Sequence, residues 1–237
     1  MKLVMKAAWF ALALNAAPAE AQGVDLGAGE IIVTAQRRTG DNYDDKIPAV
    51  GLKRLADFAI QPLKIGGDTR DPAIRHDEIY QTMRRAIELA PSFGVQLATG
   101  EMLVQPLTLA NYHDITLEKD NRPDSDKVEI LLKAPLGNGG SKDATQRIDR
   151  FLKAIKPVGR ALVEAKEDLT LSIVAPDQYR GEIGSLIAND GAAMAARFGT
   201  GYSVEVRGLN RPVEWTRASL TEVLLYIPYE LTVVPKP

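Results

Sequence analysis

The apolar residues of this chain switch period several times, from two to about 3.6 and back, and strand patterns cluster at its C-terminal end. That order limits the fold more than any single motif does. "RDPAIRHDEIYQTMRRAIELAP" repeats at helical spacing through Ile79, Met83, Ile87 and Ala90. Asp71 is placed to cap it, Pro72 suits its first turn, and Pro91 and Gly94 end it. "DKVEILLKAPL" instead alternates, with Val128, Ile130, Leu132 and Ala134 on one side, as a strand does. A second round follows. "DATQRIDRFLKAIKP" carries Ile148, Phe151, Leu152 and Ile155 at helical spacing, and "DLTLSIVAP" is a strand pattern.

A long helix follows in "DQYRGEIGSLIANDGAAMAARFG", with Asp177 as expected cap and Gly199 as stop. Its inward face is expected to carry Ile183, Leu186, Ile187, Met194 and Phe198. "YSVEVRGL" and "TEVLLYIPYELTVV", the latter bent at Pro228, close the chain as strands. Helices interspersed with strands, and strands clustered at the end, predict an α+β fold, a mostly antiparallel sheet with amphipathic helices packed on it. In "ADFAIQPLKI", Phe58 and Ile60 share one face and the phase shifts at Pro62, before Leu63 and Ile65. Proline donates no ladder hydrogen bond, so this segment is expected to be bulged or an edge strand.

The first residues carry an address. Lys2 and Lys6 precede the apolar run "AAWFALAL", and "NAAPAEAQ" ends with Ala19 and Ala21 at signal-peptidase spacing. Residues 1–21 therefore read as a signal peptide cut after Ala21, which places the mature chain in the periplasm. The apolar run is too short to cross a bilayer, and no cysteine follows the cut for lipid attachment. The sequence contains no cysteine at all, which removes disulfides, thiolate metal sites and thiol nucleophiles. A formal net charge of −2 over 237 residues gives no basic surface for nucleic acid. Residues 22–50 read as a leader that contains "EIIVTAQRR", and residues 51–237 as the α+β domain.

Catalytic chemistry finds little to work with, and a non-enzymatic protein is expected. His76 and His113 have no second ligand at metal-binding spacing, and no serine sits in a nucleophile-elbow setting. "GNGGSK" is too short for a phosphate loop, and Asp143 stands where the hydroxyl is needed; Ser141 or Asp143 is instead expected to cap a helix. Asp120, Asp124 and Asp126 lack the glycine and distal glutamate of an EF-hand and read as an exposed acidic turn. "GDTRD" (Asp68, Arg70, Asp71) reads as a capping turn with local ion pairing. No catalytic, cofactor or metal residue is therefore assigned.

Three stretches carry a resemblance: "ADFAIQPLKIGGDTRDPAIRHDEIYQTMRRA", "FGVQLATGEMLVQP" and "GAAMAARFGTGYSVEVRGL", with "IPYELTVV" at the end. Their order resembles that of SIMPL-domain proteins, exported bacterial α+β proteins of about this length. The resemblance implies an envelope protein linked to stress tolerance that acts through protein contacts, in some cases as a homo-oligomer, with no active site to carry over. A second likeness is local. "EIIVTAQRR" followed by "DNYDDKIPAV" resembles the entry to the plug of TonB-dependent receptors. That implies an alternative function, an accessory of TonB-dependent uptake docking through residues 30–38. Partner contacts are accordingly expected at Ile31, Ile32 and Val33, or at the aromatics Tyr179, Trp215, Tyr226 and Tyr229, whose rings and polar tips suit an interface. Both readings of the opening stretch, first strand or docking peptide, stand at this point.

Overall fold

The computed structural model describes residues 29–33, 47–100, 103–137 and 140–237. The expected signal peptide, its cleavage site and most of the leader lie outside the described residues. Among the described residues thirteen strands run in chain order: β1 (Glu30–Val33), β2 (Leu52–Leu55), β3 (Phe58–Gly67), β4 (Gln96–Thr99), β5 (Gln105–Pro106), β6 (Glu118–Lys119) and β7 (Asp126–Pro135). β8 (Leu162–Ala165), β9 (Thr170–Val174), β10 (Tyr202–Arg207), β11 (Glu214–Arg217), β12 (Glu222–Tyr226) and β13 (Glu230–Pro235) complete them. The α-helices are α1 (Pro72–Leu89), α2 (Gly140–Ala154) and α3 (Arg180–Phe198). Every strand pair among the described residues is antiparallel, so the α+β architecture with helices on an antiparallel sheet is the one observed.

The large sheet has the order β1-β9-β3-β7-β4-β5, and its two ends meet. Leu103, just before β5, bridges Ile31 of β1, and the Val104 amide donates to the Glu30 carbonyl at 2.9 Å. This closes the strands into a ring. Gly100 makes the return possible: its φ is +115°, and a Cβ there would lie 2.0 Å from the Leu103 oxygen. Side chains on the ring's inner face meet across it. Lys133 of β7 bonds Glu30 of β1, although β3 and β9 lie between them in the sheet. In a flat sheet those strands would stand roughly 14 Å apart, beyond the reach of the two side chains.

The outer face of the ring is covered by helices. α1 buries Ile79, Met83 and Ala86, and α2 buries Ala144, Ile148 and Phe151, against Leu63, Ile65, Ile130 and Leu132 of the strands. Asp71 caps α1 through bonds to the Ala73 and Ile74 amides, and Gly94 ends the following turn at φ +62°. Arg75 is anchored on Asp126, both almost fully buried, with 2.5 Å between Nε and Oδ2. Asp126 is thus no part of an exposed acidic turn; its partner is 51 residues away in sequence.

Pro62 behaves differently from expectation. β3 is a central strand, in unbroken register with β7 from Phe58↔Pro135 to Gly67↔Asp126. The irregularity is on its other side, where β9 pairs up to Ile60↔Thr170 and β8 resumes at Leu63↔Ala165. Residues 166–169 jog outward opposite Gln61 and Pro62, and the missing proline donor faces that jog. Gln61 fills the gap, donating to the carbonyls of Lys166 (2.7 Å) and Glu167 (3.3 Å).

Two small sheets complete the fold, β11-β12-β2 and β10-β13. The chain does more than bend at Pro228, because β12 and β13 belong to different sheets. Asp177 does not cap α3 either. A short 3-10 turn precedes the helix, and the Asp177 carboxylate accepts from the Val213 amide at 3.1 Å.

Candidate functional site

Among the described residues, no group of three or more metal-ligating side chains is gathered. His76 is exposed and bonds Asp126 at 3.1 Å. That carboxylate is already engaged by Arg75 and by Lys119 at 2.9 Å. Burial pushes the Asp126 carboxyl up, and Lys119 and Arg75 outweigh it, bringing it to about 2. The cluster therefore holds a permanent anion that ties α1 to β7, without a nucleophile at the histidine. His113 lies in a 3-10 turn against the rings of Tyr112 and Tyr80, at 4.0 and 4.9 Å between centroids. Asp143 pairs with Arg147 at 3.0 Å. Asp68 holds Arg160 through both carboxylate oxygens. These are structural attachments.

The residues expected to contact a partner fall in different settings. Ile31 is buried in the core, and Ile32 is half-buried on the inside of the ring. The side chain of Val33 lies outside the described residues, although its backbone pairs with Leu171. Tyr226 is buried, and Tyr179, Trp215 and Tyr229 are half-buried against the core. Arg54 stacks on Tyr179 with 4.0 Å from its guanidinium carbon to the ring centroid. Burial raises the Tyr179 and Tyr229 hydroxyls above their ordinary range. None of the four aromatics is exposed, so they form no open patch.

The open apolar surface is on α3. Only Ile183, Ile187 and Gly191 of that helix are buried, while Leu186, Met194 and Phe198 are 36%, 38% and 60% exposed. Three residues expected to face inward therefore face solvent. The cause lies in what the helix rests on. Its first half packs against the core, but its second half has only the two strands β10 and β13 beneath it. A Cβ on Gly191 would lie 3.0 Å from Val204, so helix and β10 are in close contact there. Beyond that point the cover thins, and Phe198, 60% exposed, lies beside Tyr202 with 6.0 Å between ring centroids.

The strands of this lobe are unfinished in the same sense. Val204, Val206, Leu231 and Val233 all remain half-exposed, and among the described residues neither β10 nor β13 has a second neighbour. A two-stranded sheet is marginal in water by itself. Pro228 precedes β13 and Pro235 ends it, as is usual for a guarded edge. β10 has no proline, and its outer face alternates Ser203, Glu205 and Arg207. Helix periodicity alone could not reveal this surface, because it reports a stripe without reporting whether anything covers it. No family model, no curated protein and no solved structure matches the chain.

Proposed function

We propose that this is a non-enzymatic exported protein of the cell envelope that acts through protein contacts, and that its α3–β10–β13 lobe makes them. The observation that carries the reading is the free β10 edge beside the exposed Met194, Phe198 and Tyr202. The occupant is a second copy of the same chain. A two-fold axis through Val206 sets Glu205 of one copy opposite Arg207 of the other, twice, and joins two marginal sheets into one of four strands. Within one copy those two side chains already bond each other at 3.1 Å, so their reach suits the exchange. Envelope export and a role in stress tolerance rest on the signal-like N-terminus and the SIMPL resemblance.

Sedimentation of the mature chain tests the reading. A dimer is expected, converted to monomer by Arg207→Glu and restored by the double swap Glu205→Arg with Arg207→Glu. A chain that stays monomeric up to its solubility limit overturns it. The alternative, docking to an uptake receptor through residues 30–38, has less support: Ile31 is 1% exposed, and the Glu30 carboxylate is held inside the ring.

A further inference from the structure

The ring of strands is filled at one end and open at the other. Its filled end holds Phe58, Ile60, Ala98 and Val104 around Lys133, Glu30 and Ser172. Glu30 accepts from the Ser172 hydroxyl at 2.5 Å and from Lys133, so every charge in this plug is answered. Two residues further along the same strands the interior widens into a cup of about 940 Å³. Ligand sites span about 300–1,000 Å³ and favour the mouths of barrels. Ile32, Pro62, Leu131 and Ile115 supply apolar walls, and the cup's rim carries Glu118, Glu129, Glu167, Asp168 and Arg217, with Lys127 and Lys166 paired to the first two carboxylates.

The charges at this rim do not balance. Arg217 is occupied by main-chain carbonyls, donating to Leu169 (3.0 Å), Ser219 (3.0 Å) and Leu220 (3.4 Å). Glu129 is shared by Lys127 and Lys166, at 2.7 and 2.6 Å, and Glu118 has Lys127 at 3.7 Å. Glu167 and Asp168 have no basic partner among the described residues. They stand in the jog opposite Pro62, where Glu167 adopts φ +55°, a backbone conformation that a side chain makes unfavourable. The fold thus holds a strained turn that sets two carboxylates, without a basic partner among the described residues, at the lip of a cup with apolar walls.

The geometry points to this cup as a binding site for a small organic cation with an apolar body, its ammonium group at Glu167 and Asp168 and its hydrocarbon against Ile32 and Leu131. The site is on the inside of the ring, apart from the β10 edge, and does not depend on self-association. Three octyl compounds that differ only in the head group test it on the full mature chain by titration calorimetry: octylammonium, octanol and octanoate. Octylammonium is expected to bind once per chain and more tightly than the other two. Glu167→Gln with Asp168→Asn, both exposed and outside the core, is expected to weaken octylammonium several-fold while leaving melting unchanged. Leu131→Trp, which fills the cup, is expected to abolish binding. Octanoate or octanol binding as tightly as octylammonium overturns the proposal, as does absence of octylammonium binding or an unaltered affinity in the rim double variant. Repeating the titration with Arg207→Glu separates this outcome from that of the dimer.

Discussion

Glu30 and Lys133 join the first strand of the ring to its fourth across the interior, at 11% and 7% side-chain exposure. Removing one partner leaves the other charged and buried, which costs about 3–5 kcal/mol. Glu30→Ala is therefore expected to lower the melting temperature by about 10 °C, at about 2–4 °C per kcal/mol for a domain of this size. The paired change Glu30→Leu with Lys133→Met is expected to recover most of that loss. Calorimetric melting of the three proteins decides the point; an unaffected Glu30→Ala would mean that the plug does not hold the ring.

Acid sensitivity is expected to centre on Asp126. Its folded value, about 2, lies below the ordinary 3.8, so the interaction stabilises the fold above that ordinary value. The contribution is lost as pH falls from about 4 through about 2, and amounts to about 2–3 kcal/mol. Denaturant melts followed by circular dichroism across that window test this. Asp126→Asn, although less stable at neutral pH, is expected to lose this part of the acid dependence; an identical acid slope would place the effect elsewhere.

Gly100 is expected to tolerate no side chain. At φ +115° with the Leu103 oxygen in the way, Gly100→Ala forces the return loop to move, and the Leu103–Ile31 bridge with it. A loss above about 1 kcal/mol is expected, more than the strain of the backbone angle alone. Urea titration measures it, with Gly181→Ala, where an added Cβ meets open space, as the control.

The Val104 amide offers a direct view of ring closure. It lies outside a regular strand, yet donates to Glu30 and is 8% exposed. Hydrogen exchange is expected to be slow there in the intact chain and fast after deletion of residues 22–33. Fast exchange in the intact chain would favour the docking-peptide reading of the opening stretch.

How much of this could be read from residues depended on the range of the interactions. Asp71, Pro72 and Gly94 mark the start of α1 and the end of its C-terminal turn through bonds to near neighbours, and β7 alternates because its two faces meet different surroundings. Asp126 misled, since its local sequence is an acidic turn while its partner Arg75 arrives on α1. Pro62 misled because a proline excludes a donor without saying which neighbour gives way. Met194 and Phe198 keep helical spacing, but the sheet beneath them is only two strands wide, a fact held in the pairing of β10 with β13. Among the described residues ring closure shows as one bridge and one amide, and neither leaves a periodic trace.

The bond from Ser172 to Glu30 spans 142 residues, and β1 has no place in the ring until β9 exists. A ribosome adds roughly 5–20 residues per second, so the first strand emerges many seconds before its neighbour is made. It must wait as an unpaired apolar segment, the state in which chains are most open to wrong partners. Its charged flank, Glu30 on one side and Arg37 and Arg38 on the other, keeps that short apolar run soluble during the wait. The ring's first strand thus waits for the last of its strands to be made, and whatever assists this chain before it is complete meets β1 in the form that the finished fold hides.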